Sequence, residues 1–155
     1  MNKIAKNFST LFGIGFIPFM PGSIASLFTV ILYYIFLDII YFVYLLIFFV
    51  IISILSIKLI NIYSNYVNKH DTSEIVIDEF IGITFILLFY DLFKFTNDLI
   101  MFLIIFILFR FFDILKIFPA NIVDRKLKSA FGVILDDLIA GIYTIIILYI
   151  VNGYY

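Results

Sequence analysis

Cysteine is absent from this chain of 155 residues, which excludes disulfides, thiolate metal sites and a cysteine nucleophile. Any bound metal must therefore take oxygen ligands. His70 is the single histidine, and its solitude excludes a phosphohistidine phosphatase mechanism, which needs a second histidine as acid. The DxDx pattern of aspartyl-phosphate enzymes is missing as well.

Charge is also scarce, since only 14% of the residues are charged and the formal net charge is -1. No run of lysine and arginine is long enough to bind nucleic acid, and we exclude nucleic acid as a partner. In contrast, 65% of the residues are hydrophobic and the mean hydropathy is +1.23. This composition predicts an integral membrane protein with a single domain, residues 1–155.

Five apolar runs predict an all-α, polytopic membrane bundle. They cover residues 24–37, 39–57, 75–90, 99–118 and 131–151, and the last two have about the 20 residues that a span needs. We expect the region 24–57 to cross twice, turning near Asp38. A single crossing would place Lys3 and Lys58 on opposite sides, against the tendency of basic loops to stay in the cytoplasm.

Three basic segments mark the predicted cytoplasmic side. They contain Lys3 and Lys6, then Lys58 and Lys69, then Lys116, Arg125, Lys126 and Lys128. The region 91–98 has one lysine and the C-terminal residues after 151 have none. The spans therefore alternate correctly only if there are five of them.

Carboxylates inside the apolar runs are the main functional signal. They are Asp78, Glu79, Asp113, Asp136 and Asp137. A charged side chain at the centre of a span costs roughly 2.5 to 3.5 kcal/mol, so five would cost about 12 to 17 kcal/mol without compensation. With the topology above, all five lie in one layer beneath the cytoplasmic surface. Their hard oxygen ligands suit Mg²⁺, which we expect the pairs Asp78/Glu79 and Asp136/Asp137 to hold.

A glycine follows each acidic pair by about one turn, Gly82 in IVIDEFIG and Gly141 in VILDDLIAG. Small residues let two helix backbones approach closely, which would bring the pairs together. Neighbouring residues on a helix diverge by about 100°. One member of a pair can therefore bind metal while the other accepts a proton or orients a ligand.

Arg110, Asp113 and Lys116 are spaced three residues apart and share a helix face. Arginine offers a planar fork and lysine a point charge to phosphate oxygens, so Arg110 and Lys116 are candidate phosphate ligands. Alternatively, Arg110 and Asp113 form a structural ion pair while Lys116 reaches the membrane interface. Arg125 is a further candidate for the phosphate group, and Asp124 beside it could contact a head group. A solvated anchoring charge is the alternative for both.

The segment GIGFIPFMPGSIASL is broken by glycine and proline, and predicts a cytoplasmic-side loop or re-entrant segment. We expect Ser23 to cap a helix that begins at Ile24. A helix start preceded by glycine is an anion-binding geometry, which makes Gly22 and Ser23 candidate phosphate-binding residues. A plain interfacial loop is the alternative.

Taken together, four blocks of sequence resemble the phosphatidylglycerophosphatase A family of bacterial membrane phosphatases. In chain order they are GIGFIPFMPGSIASL, HDTSEIVIDEFIG, FRFFDILKIFPANIVDR and FGVILDDLIAG. The resemblance implies Mg²⁺-dependent hydrolysis of phosphatidylglycerophosphate to phosphatidylglycerol and phosphate, at the cytoplasmic face of the bacterial inner membrane.

Departures from the family pattern affect loops. The usual Lys-Pro-x-Pro is Lys116 to Pro119 with isoleucine in second place, and a usually glycine-rich loop is Lys128, Ser129, Ala130. In the first block, Ser23 and Ala25 replace the usual threonine and glycine. We expect changes in loop geometry more than in chemistry.

The leading hypothesis assigns roles to all five acids: metal ligands from the two pairs, and Asp113 as the group that orients or deprotonates water. A proton- or cation-coupled transporter is the alternative, because intramembrane acids also mark ion pathways. The outer halves of the spans are almost purely apolar, which favours a one-sided site. A non-catalytic subunit is the third hypothesis. The sequence indicates no oligomeric state.

Overall fold

The computed structural model of the chain describes residues 3–68, 72–93 and 97–152, and every regular element in these ranges is helical. The helices are α1 Lys3–Ser9, α2 Pro21–Phe36, α3 Phe42–Val67, α4 Ile77–Leu87, α5 Asp98–Leu115, α6 Ala120–Lys126 and α7 Ala130–Asn152. Short 3₁₀ segments lie at Leu11–Phe16, Leu37–Ile39 and Tyr90–Leu92. The all-α prediction is confirmed.

The five longer helices run alternately up and down. Gly22 of α2 and Arg110 near the end of α5 both lie beside Glu79 at the start of α4. At the other end, Asn152 of α7 donates a hydrogen bond to the Leu92 carbonyl, 3.2 Å away. The starts of α2, α4 and α7 and the end of α5 therefore share one end of the bundle, here called the charged end. The opposite end, which holds Asp38, Asp91 and Asp98, is called the far end.

Helix α4 forms the centre of the bundle. Ile81, Ile83 and Ile86 are completely buried, because α4 is apolar on all sides except for its first turn. Beyond this acidic first turn, α4 has one polar side chain, Thr84, whose hydroxyl lies 3.1 Å from the Tyr33 hydroxyl of α2. This buried pair joins α2 to α4 where no water is needed to satisfy either hydroxyl.

Three helical segments are long and apolar enough to cross a membrane: Pro21–Ile39, Phe42–Val67 and Ala130–Asn152. Helix α4 has 11 residues and so a length of about 16 Å, half of a bilayer core of about 30 Å. Helix α5 carries Asp98, Arg110 and Asp113 among its 18 residues. The break between α2 and α3 lies at Leu37–Ile39, where a turn near Asp38 was expected.

Two predicted boundaries were wrong. Helix α2 begins at Pro21, preceded by Met20 in a left-handed conformation, so Ser23 lies inside the first turn and does not cap it. Proline suits this first position because the amide it lacks would be unpaired there. Helix α3 continues ten residues beyond 57, because Ile60 and Tyr63 are buried and sustain the apolar face. His70 lies outside the described residues.

Helices α4 and α7 pack closely at the two predicted glycines. A methyl group on Gly82 would lie 2.7 Å from the Phe109 ring and 3.3 Å from the Asp137 carbonyl oxygen. On Gly141 it would lie 3.4 Å from the Gly82 carbonyl. The absence of side chains at both places lets the two acidic segments meet.

Candidate active site

A cavity of about 340 Å³ at the charged end gathers nearly all of the predicted site residues. Its lining includes Gly22, Asp78, Glu79, Arg110, Asp113, Lys116, Asp136 and Asp137. They come from the starts of α2, α4 and α7 and from the end of α5, which the alternating helices place together. The five carboxylates therefore lie in one layer at one end of the bundle, as the sequence predicts.

Three carboxylates converge inside this cavity. Asp78, Glu79 and Asp137 each place an oxygen within 4.8 Å of the other two, and all three side chains are buried. Asp78 and Glu79 are neighbours on α4, and the longer glutamate side chain compensates for their divergence around the helix. We call these three residues the acidic triad.

The acidic triad is short of partners. Asp78 Oδ1, Glu79 Oε2 and Asp137 Oδ2 are buried and accept no hydrogen bond among the described residues. Buried carboxylate oxygens are costly to leave unpaired. Oxygens bound to one Mg²⁺ at 2.0–2.1 Å lie at most about 4.2 Å apart, so small side-chain shifts would complete a site. The donor set fits a hard divalent cation.

The other two carboxylates are paired with cations. Arg110 Nη1 lies 2.5 Å from Asp113 Oδ2 and 3.5 Å from Glu79 Oε1. Lys116 Nζ lies 2.7 Å from Asp136 Oδ2. Asp136 and Asp137 thus diverge, one toward a lysine and one into the acidic triad, which is the division expected for adjacent residues on a helix.

Both cations keep capacity for an anion. Arg110 Nε is buried and donates no hydrogen bond among the described residues. Lys116 ends α5 in a left-handed conformation that turns its side chain toward α7 and α6. It contacts Asp136 and also Asp124 Oδ1, 2.5 Å away, so one of its three N–H groups is left. Arg110 and Lys116 both line the cavity, and each keeps an N–H group without an acceptor among the described residues.

Gly22 lies directly against Glu79. A methyl group there would overlap Glu79 Oε1 and lie 3.2 Å from Arg110 Nη1. Only glycine lets α2 begin this close to the acidic triad. Gly22 was predicted as a phosphate-binding residue. In the structure it is needed for a steric reason that does not depend on phosphate binding.

Two predicted phosphate-binding residues lie elsewhere. Ser23 is partly buried in α2 and does not line the cavity. Arg125 is exposed on α6 and also lies outside the lining. Ser23 and Arg125 were grouped with the site because they are close in sequence to residues that lie there. The start of α2 and the position of α6 could not be determined from the sequence.

Asp124 was considered only as a head-group contact, and two polar residues at the cavity were not predicted as site residues at all. Thr72 and Ser73 line it from the segment before α4, and Asp124 reaches Lys116 from α6. Thr72 and Ser73 follow a polar stretch without periodicity, so no signal indicates them. Asp124 lies eight residues after Lys116 across a proline, and only the folded α6 brings the pair together.

With this geometry established, comparison with known proteins identifies the family. The sequence model of "Phosphatidylglycerophosphatase A" matches residues 7–152. The chain belongs to the phosphatidylglycerophosphatase A family. This membership makes it an enzyme of the phosphatase class and agrees with the resemblance carried by the four sequence blocks.

Individual members of the phosphatidylglycerophosphatase A family show the same similarity. The protein of that name from Escherichia coli K12 is 30% identical over 144 residues, which are 93% of this chain and 81% of the relative. The Haemophilus influenzae protein of that name is 40% identical over 83 residues, or 54% of this chain. That match spans about half, 48%, of the Haemophilus relative's length.

A third relative carries a different name. A Bacteroides thetaiotaomicron protein, provisionally named a phosphatidylinositol-3-phosphatase, is 31% identical over 148 residues, 90% of this chain and 87% of its own. No solved structure matches the chain.

Proposed function

We propose that this protein hydrolyses phosphatidylglycerophosphate to phosphatidylglycerol and phosphate, with Mg²⁺ in the acidic triad. The observation that carries the proposal is the convergence of Asp78, Glu79 and Asp137 within 4.8 Å beside Arg110 and Lys116. Family membership supplies the substrate class. Three converging carboxylates beside two cations support a divalent cation and a phosphate group in one cavity.

Asp78, Glu79 and Asp137 would hold the ion, since their free buried oxygens are the unsatisfied ones. When bound, Mg²⁺ supplies positive charge that polarises the phosphoryl group and favours deprotonation of water. Without it, five carboxylates face two cations in the cavity, and an anionic substrate would be repelled. The triad therefore prepares the cavity for a phosphate monoester.

Arg110 binds the phosphate through its Nε, while Asp113 at 2.5 Å fixes the guanidinium from the other side. This arrangement gives Asp113 a positioning role and replaces the role in water activation that its sequence position suggested. Lys116 adds a second donor to the equatorial oxygens. Charge that develops on these oxygens in the transition state is met by donors already in place.

Asp136 is the proposed general base. Lys116 holds its Oδ2 at 2.7 Å, while its Oδ1 is buried and accepts no hydrogen bond among the described residues. Oδ1 takes a proton from water as the water oxygen forms a bond to phosphorus. The bond between phosphorus and the glycerol oxygen breaks, and that oxygen takes up a proton from solvent. The products are a lipid alcohol and inorganic phosphate.

The charged end is proposed to face the cytoplasm of a bacterial inner membrane, with several crossings between the two ends. The end of α1 lies at this end, because its Ser9 carbonyl accepts a hydrogen bond from the Val76 amide just before α4. Lys3 and Lys6 belong to α1, and Arg125, Lys126 and Lys128 lie between the end of α5 and the start of α7, as expected for basic residues that remain inside. A reporter fused after Asn152 at the far end should then be active only outside the cytoplasm. Cytoplasmic activity of that fusion would overturn the orientation.

Phosphate release from purified protein in detergent tests the reaction. We expect release from phosphatidylglycerophosphate with Mg²⁺, none after EDTA, and recovery when Mg²⁺ is restored. Asp137→Asn should be inactive, while the matched far-end variant Asp98→Asn should keep wild-type activity. A folded protein that releases no phosphate, or releases it equally in EDTA, would contradict the proposal.

The name of the Bacteroides relative makes headgroup selectivity a necessary part of this assay. Phosphatidylinositol 3-phosphate should be offered at the same concentration as phosphatidylglycerophosphate. We expect faster phosphate release from phosphatidylglycerophosphate, because two relatives are named phosphatidylglycerophosphatase A. Faster release from the inositol lipid would reassign the substrate while leaving the acidic triad and its metal in place.

A further inference from the structure

Helix α6 and the turn after it form a basic surface that the reaction does not use. Arg125, Lys126 and Lys128 are all exposed there, and none of them takes part in an ion pair among the described residues. The acid of this segment, Asp124, already forms an ion pair with Lys116, with 2.5 Å between Oδ1 and Nζ. The surface therefore carries three uncompensated positive charges.

Apolar side chains are interspersed with these charges. Ile122 is 39% exposed, Leu127 is 42% exposed, and Phe118 and Phe131 at the ends of the segment are 65% and 52% exposed. Exposed aliphatic and aromatic groups beside lysine and arginine are typical of helices that lie in the interface of a membrane. We call residues 118–131 with this mixed surface the basic ledge.

The basic ledge is held rigidly against α7. The Tyr143 hydroxyl of α7 donates a hydrogen bond to the Phe118 carbonyl. A methyl group on Gly132 would overlap the Leu127 carbonyl oxygen, so the turn after α6 lies flush with the start of α7. The Ser129 hydroxyl accepts a hydrogen bond of 3.2 Å from the Gly132 amide and caps α7. A fixed surface of this kind loses little entropy when it binds.

We propose that the basic ledge binds the headgroups of anionic phospholipids in the surrounding leaflet. Charge complementarity selects the occupant, since three cations face outward beside apolar groups that enter the bilayer interface. Each such cation near a membrane surface attracts anionic lipid, and the attraction fades within a Debye length. The ledge joins the cavity through Asp124 and Lys116, so anionic lipids gather at the entrance to the site.

A single tryptophan reports this binding directly, because the natural chain has none. Ile122→Trp places the probe on the ledge, and Ile39→Trp places a control probe at the far end, where Ile39 is 69% exposed. Each variant is reconstituted in phosphatidylcholine vesicles with 20 mol% phosphatidylglycerol, with bromine on only one of the two lipids. Quenching by each brominated lipid then gives the local lipid composition, without substrate or turnover.

We expect the ratio of phosphatidylglycerol to phosphatidylcholine to be about fivefold higher around the ledge probe than in the bulk mixture, and unchanged around the far-end probe. Replacing Arg125, Lys126 and Lys128 by glutamine should abolish the enrichment, as should 1 M NaCl. The control pair Lys3→Gln with Lys58→Gln removes exposed cations elsewhere and should leave it unchanged. Equal quenching of the ledge probe by the two lipids, or enrichment that survives the triple substitution, would overturn the proposal.

Because the quenching is measured without hydrolysis, its result is independent of the proposed reaction. A protein with no phosphatase activity can still show the enrichment, and an active one can lack it. Retained helical circular dichroism in detergent would show that the triple variant is folded, so that lost enrichment reports lost binding.

Discussion

Both ends of the helical bundle carry acidic side chains beside a cavity, and the two sets differ in what surrounds them. At the far end, Asp38, Asp91 and Asp98 border a cavity of about 310 Å³, and all three are exposed. The Tyr90 hydroxyl donates a hydrogen bond to Asp98. Water can satisfy the remaining oxygens, so these acids need no further partner.

At the charged end, a cavity of about 340 Å³ holds carboxylates that are buried. Asp78 and Asp137 are 8% and 3% exposed, each has a buried oxygen that accepts no hydrogen bond among the described residues, and the two side chains converge with Glu79 within 4.8 Å. Burial makes such oxygens demand a cation, and convergence lets one cation satisfy three of them. The comparison shows that burial and convergence of acids indicate a site, and that exposed acids beside a cavity do not.

The largest difference between the ends should appear on replacing the proposed base. Asp136→Asn keeps the size of the side chain and a contact with Lys116, and it removes the proton acceptor. We expect kcat/KM for phosphate release to fall by about 10²- to 10⁴-fold. Asp98→Asn is the matched change at the far end, where the amide oxygen can still accept from Tyr90. If both variants lost the same share of kcat/KM, the loss in Asp136→Asn could not be assigned to the removal of a general base.

Arg110→Lys should have the next largest effect. Lysine keeps the charge and cannot contact Asp113 while presenting a second donor to phosphate. A loss of about 10²-fold in kcat/KM is expected, the lower end of the effect of removing one transition-state donor. Separate measurements of KM and kcat show whether binding or the chemical step is impaired. Wild-type activity would show that Arg110 and Asp113 form only a structural pair.

Gly22→Ala tests the close approach of α2 to the acidic triad. The new methyl group overlaps Glu79 Oε1, so Glu79 must move away from Asp78 and Asp137. We expect the Mg²⁺ concentration for half-maximal activity to rise about 10-fold, in the range seen when the support of a metal ligand is disturbed. The neighbouring change Ser23→Val is the steric control. An unchanged Mg²⁺ requirement would exclude Glu79 as a ligand.

The smallest effect is expected from Ser23→Ala. Ser23 neither caps α2 nor lines the cavity. The rate of phosphate release should therefore stay within about twofold of wild type, and the free energy of unfolding within about 0.5 kcal/mol. Activity and thermal unfolding in detergent measure both. A tenfold rise in KM would restore Ser23 as a phosphate ligand, as its place before Ile24 had suggested.

Much of this arrangement could be predicted from local sequence. The pairs Asp78/Glu79 and Asp136/Asp137, each followed by glycine, indicated two helices that meet at their acidic turns. The helical spacing of these residues and the bias of lysine and arginine toward one side of the membrane carry that information. The layer of five carboxylates follows from the alternating direction of the helices, which the basic segments indicated.

Other features depend on contacts that local sequence does not encode. The positive φ of Met20 starts α2 early, and packing on α1 carries α3 past Lys58. Asp124 becomes a second partner of Lys116, beside Asp136, only through the fold of α6. The division of the acids into a triad and two ion pairs also required side-chain directions from several helices.

Metal binding by the acidic triad is the central claim, and Mn²⁺ titration followed by electron paramagnetic resonance measures it most directly in place of Mg²⁺. We expect saturable Mn²⁺ binding that Mg²⁺ displaces. Asp137→Asn should weaken it by about 100-fold or more, and Asp98→Asn should leave it unchanged. Binding that survives Asp137→Asn, or that is lost equally in Asp98→Asn, would contradict the account.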